Sequence, residues 1–446
     1  MARPSYGVVS AFAVIISLVG VATKFGAPLI PPQPENSLAR STGEFLQQGG
    51  QQRIDWRPLS PQLFGEAKRL DRPVMLVLGA IWSHDGRAID RLIFTDPDIQ
   101  LYLARNFLCA RVDLDESPEW QTAFLPVHRA NFHTRVGFQI WFLAPDGEVF
   151  DFVGSRSSGL EIDPNAFQKE LIQVRSTLAR MQDPEGGESV PGERQRADRN
   201  LLLNSDSQVP DLDGHLKMVA SMSDRERGGF QNDGYRSVRA SPWLTLVSTG
   251  HVDVARVSLD PVVRSSVVDW LDGGFFRLNN SYDWYVLQFD KLAVQNAEMM
   301  YLCALVGLLD KDPFYELIAK RTFDSLTGEF VHAGQIATCR VGDETSLKRS
   351  VRSSFAVRDF RRIWGTGTLN ADESDWARQV LGLSVDKNEP MVIRVKRPEL
   401  LLRDMATAET VLQKLRKRKE AAPKRFSTRP RADVNGRVIA KLLACA

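Results

Sequence analysis

An α/β domain followed by an all-α region is the fold class this sequence predicts, and three observations carry it. Between residues 53 and 182, short apolar runs of strand length alternate with amphipathic helical patterns. From Leu201 onward the periodicity is almost wholly helical. Between the two lies Asp183 to Asn200, a Pro-, Gly- and charge-rich stretch with the composition of a linker. The 446 residues, 43% hydrophobic and 25% charged, suffice for two or three domains with sizeable cores.

The elements follow in order. Gly7 to Thr23 is an uncharged apolar run between Arg3 and Lys24, close to the roughly 20 residues that cross a bilayer, and predicts an N-terminal transmembrane helix. It reads as a membrane anchor or a signal segment. Gly20, Ala22 and Thr23 give only a weak cleavage signal, which favours the anchor. Such an anchor places the bulk of the chain in a periplasmic or other extracytoplasmic space. The division is then 1–24 anchor or signal, 25–52 linker, 53–182 first domain, 183–200 linker and 201–446 helical domain. Within the first domain the patterns predict helices over Pro61–Leu70, Gly86–Ile93, Asp98–Arg105 and Pro164–Met181. Strands are predicted over Val74–Leu78, Phe107–Val112, Phe138–Leu143 and Val149–Val153. In the helical domain Leu287–Leu309 is the longest apolar-periodic segment, with too much charge in its first half to span a membrane.

Charge and cysteine usage narrow the function classes. Fifty-seven basic against 55 acidic residues give no global attraction to nucleic acid, and no nucleic-acid partner is expected. The basic run Lys414–Lys419 has no interleaved aromatic residues and reads as a solvated helix face. Cys109, Cys303, Cys339 and Cys445 form no C-x-x-C and no zinc spacing, so no metal and no cofactor are expected. Asp113, Asp115 and Glu116 lie close enough in sequence to suggest a metal cluster, but read better as an acidic strand end. His128 and His133 lack partners at ligand spacing.

Leu70 to Asp96 combines an apolar strand, a short turn and a helix, with the turn reading Ser83-His84-Asp85-Gly86. Together with Ile54-Asp55-Trp56, Ala67-Lys68, Asp71-Arg72-Pro73, Arg111-Val112-Asp113 and Phe142 through Gly147, it resembles the family that includes the spermatogenesis-associated thioredoxin-like proteins. There a thioredoxin-like domain precedes a helical domain like the six-hairpin glycosidases and sugar epimerases. The resemblance implies a redox corner reading C-H-W-C-H at positions 83 to 87. Here those positions are Ser83, His84, Asp85, Gly86 and Arg87, and Phe138 stands where the family's cis-proline is expected. Without a thiolate and a resolving thiol the corner has no thiol-disulfide chemistry.

The helical domain departs from the family in the same direction. The pattern W-x-V-P-H-F-E-K-M-x-Y-D-N-A is matched by Trp284, Val286, Phe289, Lys291, Asn296 and Ala297, while its His, Glu and Asp become Gln288, Asp290 and Gln295. A later acidic motif loses both aspartates, at Gln335 and Ala337, where glycoside chemistry needs two carboxyl groups. Trp284, Gln288, Asp290, Lys291 and Asn296 form a candidate remnant ligand site; the competing reading of Asp290 and Lys291 is a structural ion pair. By resemblance the chain carries a partial toroid, whose unpaired helix faces imply protein partners. The expected function is a membrane-anchored, redox-inactive pseudoenzyme serving as a structural or binding subunit. The alternative is an enzyme acting on a carbohydrate-like substrate through the helical domain.

Overall fold

In a computed structural model, the described residues are 36–41, 43–117, 120, 138–153, 163–182, 212–230, 236–279, 287–342, 368–383, 393–419, 425–427 and 431–445. The predicted membrane segment, Trp284, His128 and His133 lie outside them. Among the described residues no helix is long and apolar enough to cross a membrane.

The first domain is built on a five-stranded sheet: β1 (Trp56–Arg57), β2 (Val74–Gly79), β3 (Leu108–Asp113), β4 (Phe138–Leu143) and β5 (Val149–Phe152) in the order β1-β3-β2-β4-β5. β1, β2 and β3 run parallel, whereas β4 and β5 are antiparallel to their neighbours, the arrangement of a thioredoxin-like sheet. β2 is buried along its whole length because it is central and covered on both faces. Its side chains alternate as the pleat requires. Met75 and Val77 join one core with Ile89, Ile99, Phe142, Phe167 and Leu171, whereas Val74, Leu76 and Leu78 face a second core.

Among the described residues, five helices accompany this sheet: α1 (Glu44–Gly50), α2 (Pro61–Leu70), α3 (His84–Leu92), α4 (Pro97–Asn106) and α5 (Pro164–Met181). Their starts are legible locally. Ser60, Asp96 and Asp163 are N-caps, each followed by proline in the first turn, where the missing N–H has no intrahelical partner to lose.

The second region is helical, with α6 (Leu212–Ser221), α7 (Ala240–Ser248), α8 (Val252–Arg264), α9 (Ala293–Asp310), α10 (Pro313–Gly328), α11 (Ala371–Val380), α12 (Pro398–Arg403), α13 (Met405–Lys419) and α14 (Ala432–Cys445) around one large apolar core. It is not purely α. Short strands β6 (Arg236–Ser237), β7 (Leu278–Asn279) and β8 (Leu287–Gln288) form one small sheet. β10 (Val331–His332) and β11 (Gln335–Ile336) form a second, and β9 (Lys291–Leu292), β12 (Cys339–Val341) and β13 (Arg425–Phe426) a third. The helix expected from Leu287 therefore begins only at Ala293. Before it, Leu287-Gln288-Phe289-Asp290-Lys291-Leu292 supplies two strands whose backbone pairs with β7 and β12.

The two regions share a core. Cys339 and Val341 of β12 are buried in the same cluster as Leu76, Leu78, Ile81 and Trp82, with Leu292 packed against it.

Candidate functional site at the domain seam

The turn after β2 ends in Ser83, whose hydroxyl caps α3 by accepting from the Gly86 N–H at 3.2 Å. A serine here serves a structural end that cysteine serves poorly, since a thiol is a weak acceptor. Ser83 is only 3% exposed. Behind it, Gly86 lies against Phe138: a Cβ at Gly86 would stand 2.8 Å from Phe138 Cδ2, closer than real contacts allow. The Phe138 ring thus occupies the space a side chain at position 86 would need. The side chains of His84 and Asp85 lie outside the described residues.

Arg87, the next residue, crosses to the helical region. Its Nη1 donates to the Ile81 carbonyl at 2.8 Å and its Nη2 to Asp290 Oδ1 at 3.0 Å, with the two side chains 4% and 1% exposed. The same Asp290 oxygen accepts from the Gly342 N–H at 2.8 Å. Trp82 is held similarly: its Nε1–H donates to Asp115 Oδ1 at 3.0 Å, and the Arg277 guanidinium lies 4.2 Å over its ring. Ser83, Gly86 and Arg87 of the corner are thus buried along the seam between the two regions.

Of the candidate ligand residues, Asp290, Lys291 and Asn296 lie among the described residues with their side chains, and each is engaged by protein groups. Lys291 Nζ is 2.7 Å from Asp269 Oδ2 and donates to the Gly273 carbonyl. Arg340 reaches the same Asp269 and also Asp272. Asn296 accepts from the Phe275 N–H at 2.6 Å and donates to the carbonyls of Phe275 and Leu292 at 3.1 and 2.9 Å. These contacts fix the Gly273-Gly274 turn, where φ is +82° and +78° and a Cβ would meet Arg321 O at 2.3 Å or Asn296 Oδ1 at 2.4 Å. Gln288 forms part of β8, with its side chain outside the described residues. Gln335 is exposed on β11 and Ala337 is buried.

Cys109, Cys303 and Cys339 are buried free thiols, and burial pushes each well above the ordinary thiol range.

Sequence reasoning missed one open feature of the seam, a cleft of about 410 Å³ lined by Glu44, Ile81, Asp113, Asp115, Glu116, Thr338, Ser427, Arg431 and Asp433 among others. Burial and then the neighbouring Asp115 raise Asp113 to about 7. Burial also raises Asp115, against the Trp82 hydrogen bond and the Arg431 charge. The acidic strand end signalled these residues, but nothing in sequence brought Thr338, Ser427 and Arg431 beside them.

Residues 35–184 match the family model described as "Protein of unknown function, DUF255", of the DsbH thioredoxin type. Spermatogenesis-associated protein 20 of Mus musculus is 23% identical over 333 residues, covering 68% of this chain and 40% of that protein. The Homo sapiens protein is 22% identical over 316 residues, covering 65% and 39%. The chain thus spans about two fifths of the length of these curated relatives. Among solved structures, a Thermus thermophilus thioredoxin is matched at 23% identity and TM-score 0.22, over 30% of this chain and 90% of that one. A sugar epimerase from a ruminal bacterium is matched at 13% identity and TM-score 0.27, over 52% and 70%.

Proposed function

Since the chain belongs, through residues 35–184, to the thioredoxin-like DUF255 family, we propose that it is a redox-inactive member in which the former catalytic corner has become a docking surface. In this reading the protein acts as a structural or binding subunit, anchored by the apolar run Gly7–Thr23. The observation that carries it is the buried Arg87–Asp290 pair, which ties the first residues of α3 to the helical region. A redox corner must admit a substrate disulfide to its attacking thiolate. Ser83 as N-cap and Gly86 beneath Phe138 oppose such access. The carbohydrate-enzyme alternative has less support, because Asp290, Lys291 and Asn296 are each engaged by protein groups.

Two measurements test this. Disulfide-reductase activity on an insulin substrate should be absent from the purified chain, and turnover would overturn redox inactivity. Mild-detergent extraction from native membranes followed by size analysis should show stable co-migration with other proteins. A lone monomer would overturn the subunit reading.

A further inference from the structure

Helix α14 is apolar on both of its faces. Inward, Val438, Leu442 and Cys445 pack on the large core. Outward, the exposed residues are Gly436, Arg437, Ile439, Ala440, Leu443 and Ala444, and only Arg437 among them is polar. Ile439 and Leu443, one turn apart, are 47% and 72% exposed. By contrast α13 divides in the usual way, with Glu409, Thr410, Gln413 and Lys417 exposed over buried Val411, Leu412 and Leu415. A helix that is apolar all round calls for a second apolar neighbour. The end of α9 adds to this surface. Contacts from Glu298 to Arg437 and from Tyr301 to Lys441 run α9 and α14 in the same direction. Leu308 and Leu309, both exposed, therefore come to the end where Leu443 lies. Asp310 beside them is paired with Arg256 at 2.9 Å.

We propose that the outer face of α14 rests in the headgroup region of an anionic lipid bilayer. This inference rests on the reading of Gly7–Thr23 as a membrane anchor and adds a second, peripheral contact to it. Two observations name the occupant. The first is charge: beyond Asp433 the charged residues of α14 are Arg437 and Lys441, both cationic, and Lys311 follows Leu309 at the end of α9. Cationic side chains flanking an apolar strip complement anionic headgroups, since their stems lie along the apolar surface while their charges reach the phosphates. The second is tether length. Residues 24–35 separate the apolar run from Asn36 and, fully extended, reach about 40 Å. Asn36 donates to the Gly49 carbonyl at 2.8 Å near one end of α1. The other end of α1, at Glu44, lines the same cleft as Arg431, Ala432 and Asp433 at the start of α14. From there Leu443 is about 15 Å along the helix. A chain anchored through Gly7–Thr23 thus keeps the α14 face within reach of the bilayer surface.

The test places nitroxide labels on the full chain in vesicles of phosphatidylcholine and phosphatidylglycerol. It compares their collisions with oxygen, which partitions into lipid, and with a nickel chelate, which stays in water. Leu443→Cys reads the α14 face, Ala13→Cys the apolar run, and Ile172→Cys, exposed on α5, serves as the aqueous control. All three carry Cys445→Ala, so that the partly accessible native thiol is not labelled. Relative to the Ile172→Cys label, the Leu443→Cys label should lose nickel collisions and gain oxygen collisions. The difference should shrink when phosphatidylglycerol is omitted. Should Leu443→Cys misfold, Ala444→Cys on the same face gives the reading. A Leu443→Cys label open to nickel beside an Ala13→Cys label in lipid would overturn the inference and leave the anchor standing. Labels at both positions open to nickel would overturn the anchor as well. A Leu443→Cys label shielded from both reagents would overturn the inference in favour of a protein neighbour, and lipid contact undiminished without phosphatidylglycerol would overturn the anionic preference.

Discussion

Ser83, Gly86 and Asp113 each carry a measurable consequence. Ser83→Ala removes the α3 cap and should cost about 1 kcal/mol. Gly86→Cys must place a Cβ 2.8 Å from the Phe138 ring, an overpacking that costs about 1–3 kcal/mol. The double variant Ser83→Cys/Gly86→Cys should therefore be less stable than wild type in urea and still fail to reduce insulin; vigorous reductase activity would show the corner to be open. Asp113, held near 7 when folded, has the opposite linkage from a salt-bridged carboxylate. Between about pH 4 and pH 7 the unfolded chain has released this proton while the folded chain retains it, so stability falls as pH rises through that window. Asp113→Asn should remove that loss and be more stable than wild type at pH 8 by on the order of 2–4 kcal/mol. An unchanged pH profile of the urea midpoint would contradict the assignment.

At the scale of elements, much of the first domain was legible. The Pro61–Leu70 and Pro164–Met181 helices and the Phe138–Leu143 strand have the predicted limits, because cap, proline and apolar period agree there. The helix expected from Leu287 was misread at its start. Leu287 and Leu292 suit a helical period, but Asp290 and Lys291 are drawn into buried pairs that a regular helix would not satisfy at once, and strand pairing to β12 wins. The hinge of this arrangement is Asn296 at the start of α9. Asn296→Ala would leave the Phe275 N–H and carbonyl without their side-chain partner, for about 2–3 kcal/mol. Thermal unfolding should show the loss, and a neutral outcome would mean that the turn is held elsewhere.

Across the whole molecule, the seam was not legible because it joins residues about 200 positions apart. One signal did exist: against the family pattern, position 87 exchanges His for the longer, permanently charged Arg, and position 290 exchanges Glu for the shorter Asp. The two departures are complementary in length and charge, and the two residues meet in this structure. The shared core around Cys339 predicts joint opening of the two regions. In native buffer Cys445, half-buried, should react with a thiol reagent, whereas Cys109 and Cys339 should react slowly and at matching rates. Much faster labelling of Cys339 would show that the seam opens on its own.

The docking claim is tested most directly by a double-mutant cycle across the seam, using Arg87→Ala, Asp290→Ala and the double variant in urea unfolding of the full chain. Each single change strands a buried charge and should cost about 3–5 kcal/mol. The double change should cost less than their sum by about 2–3 kcal/mol, the coupling expected of residues in contact. Additive effects would mean that Arg87 and Asp290 do not hold the domains together, and would contradict the account of the corner as a dock.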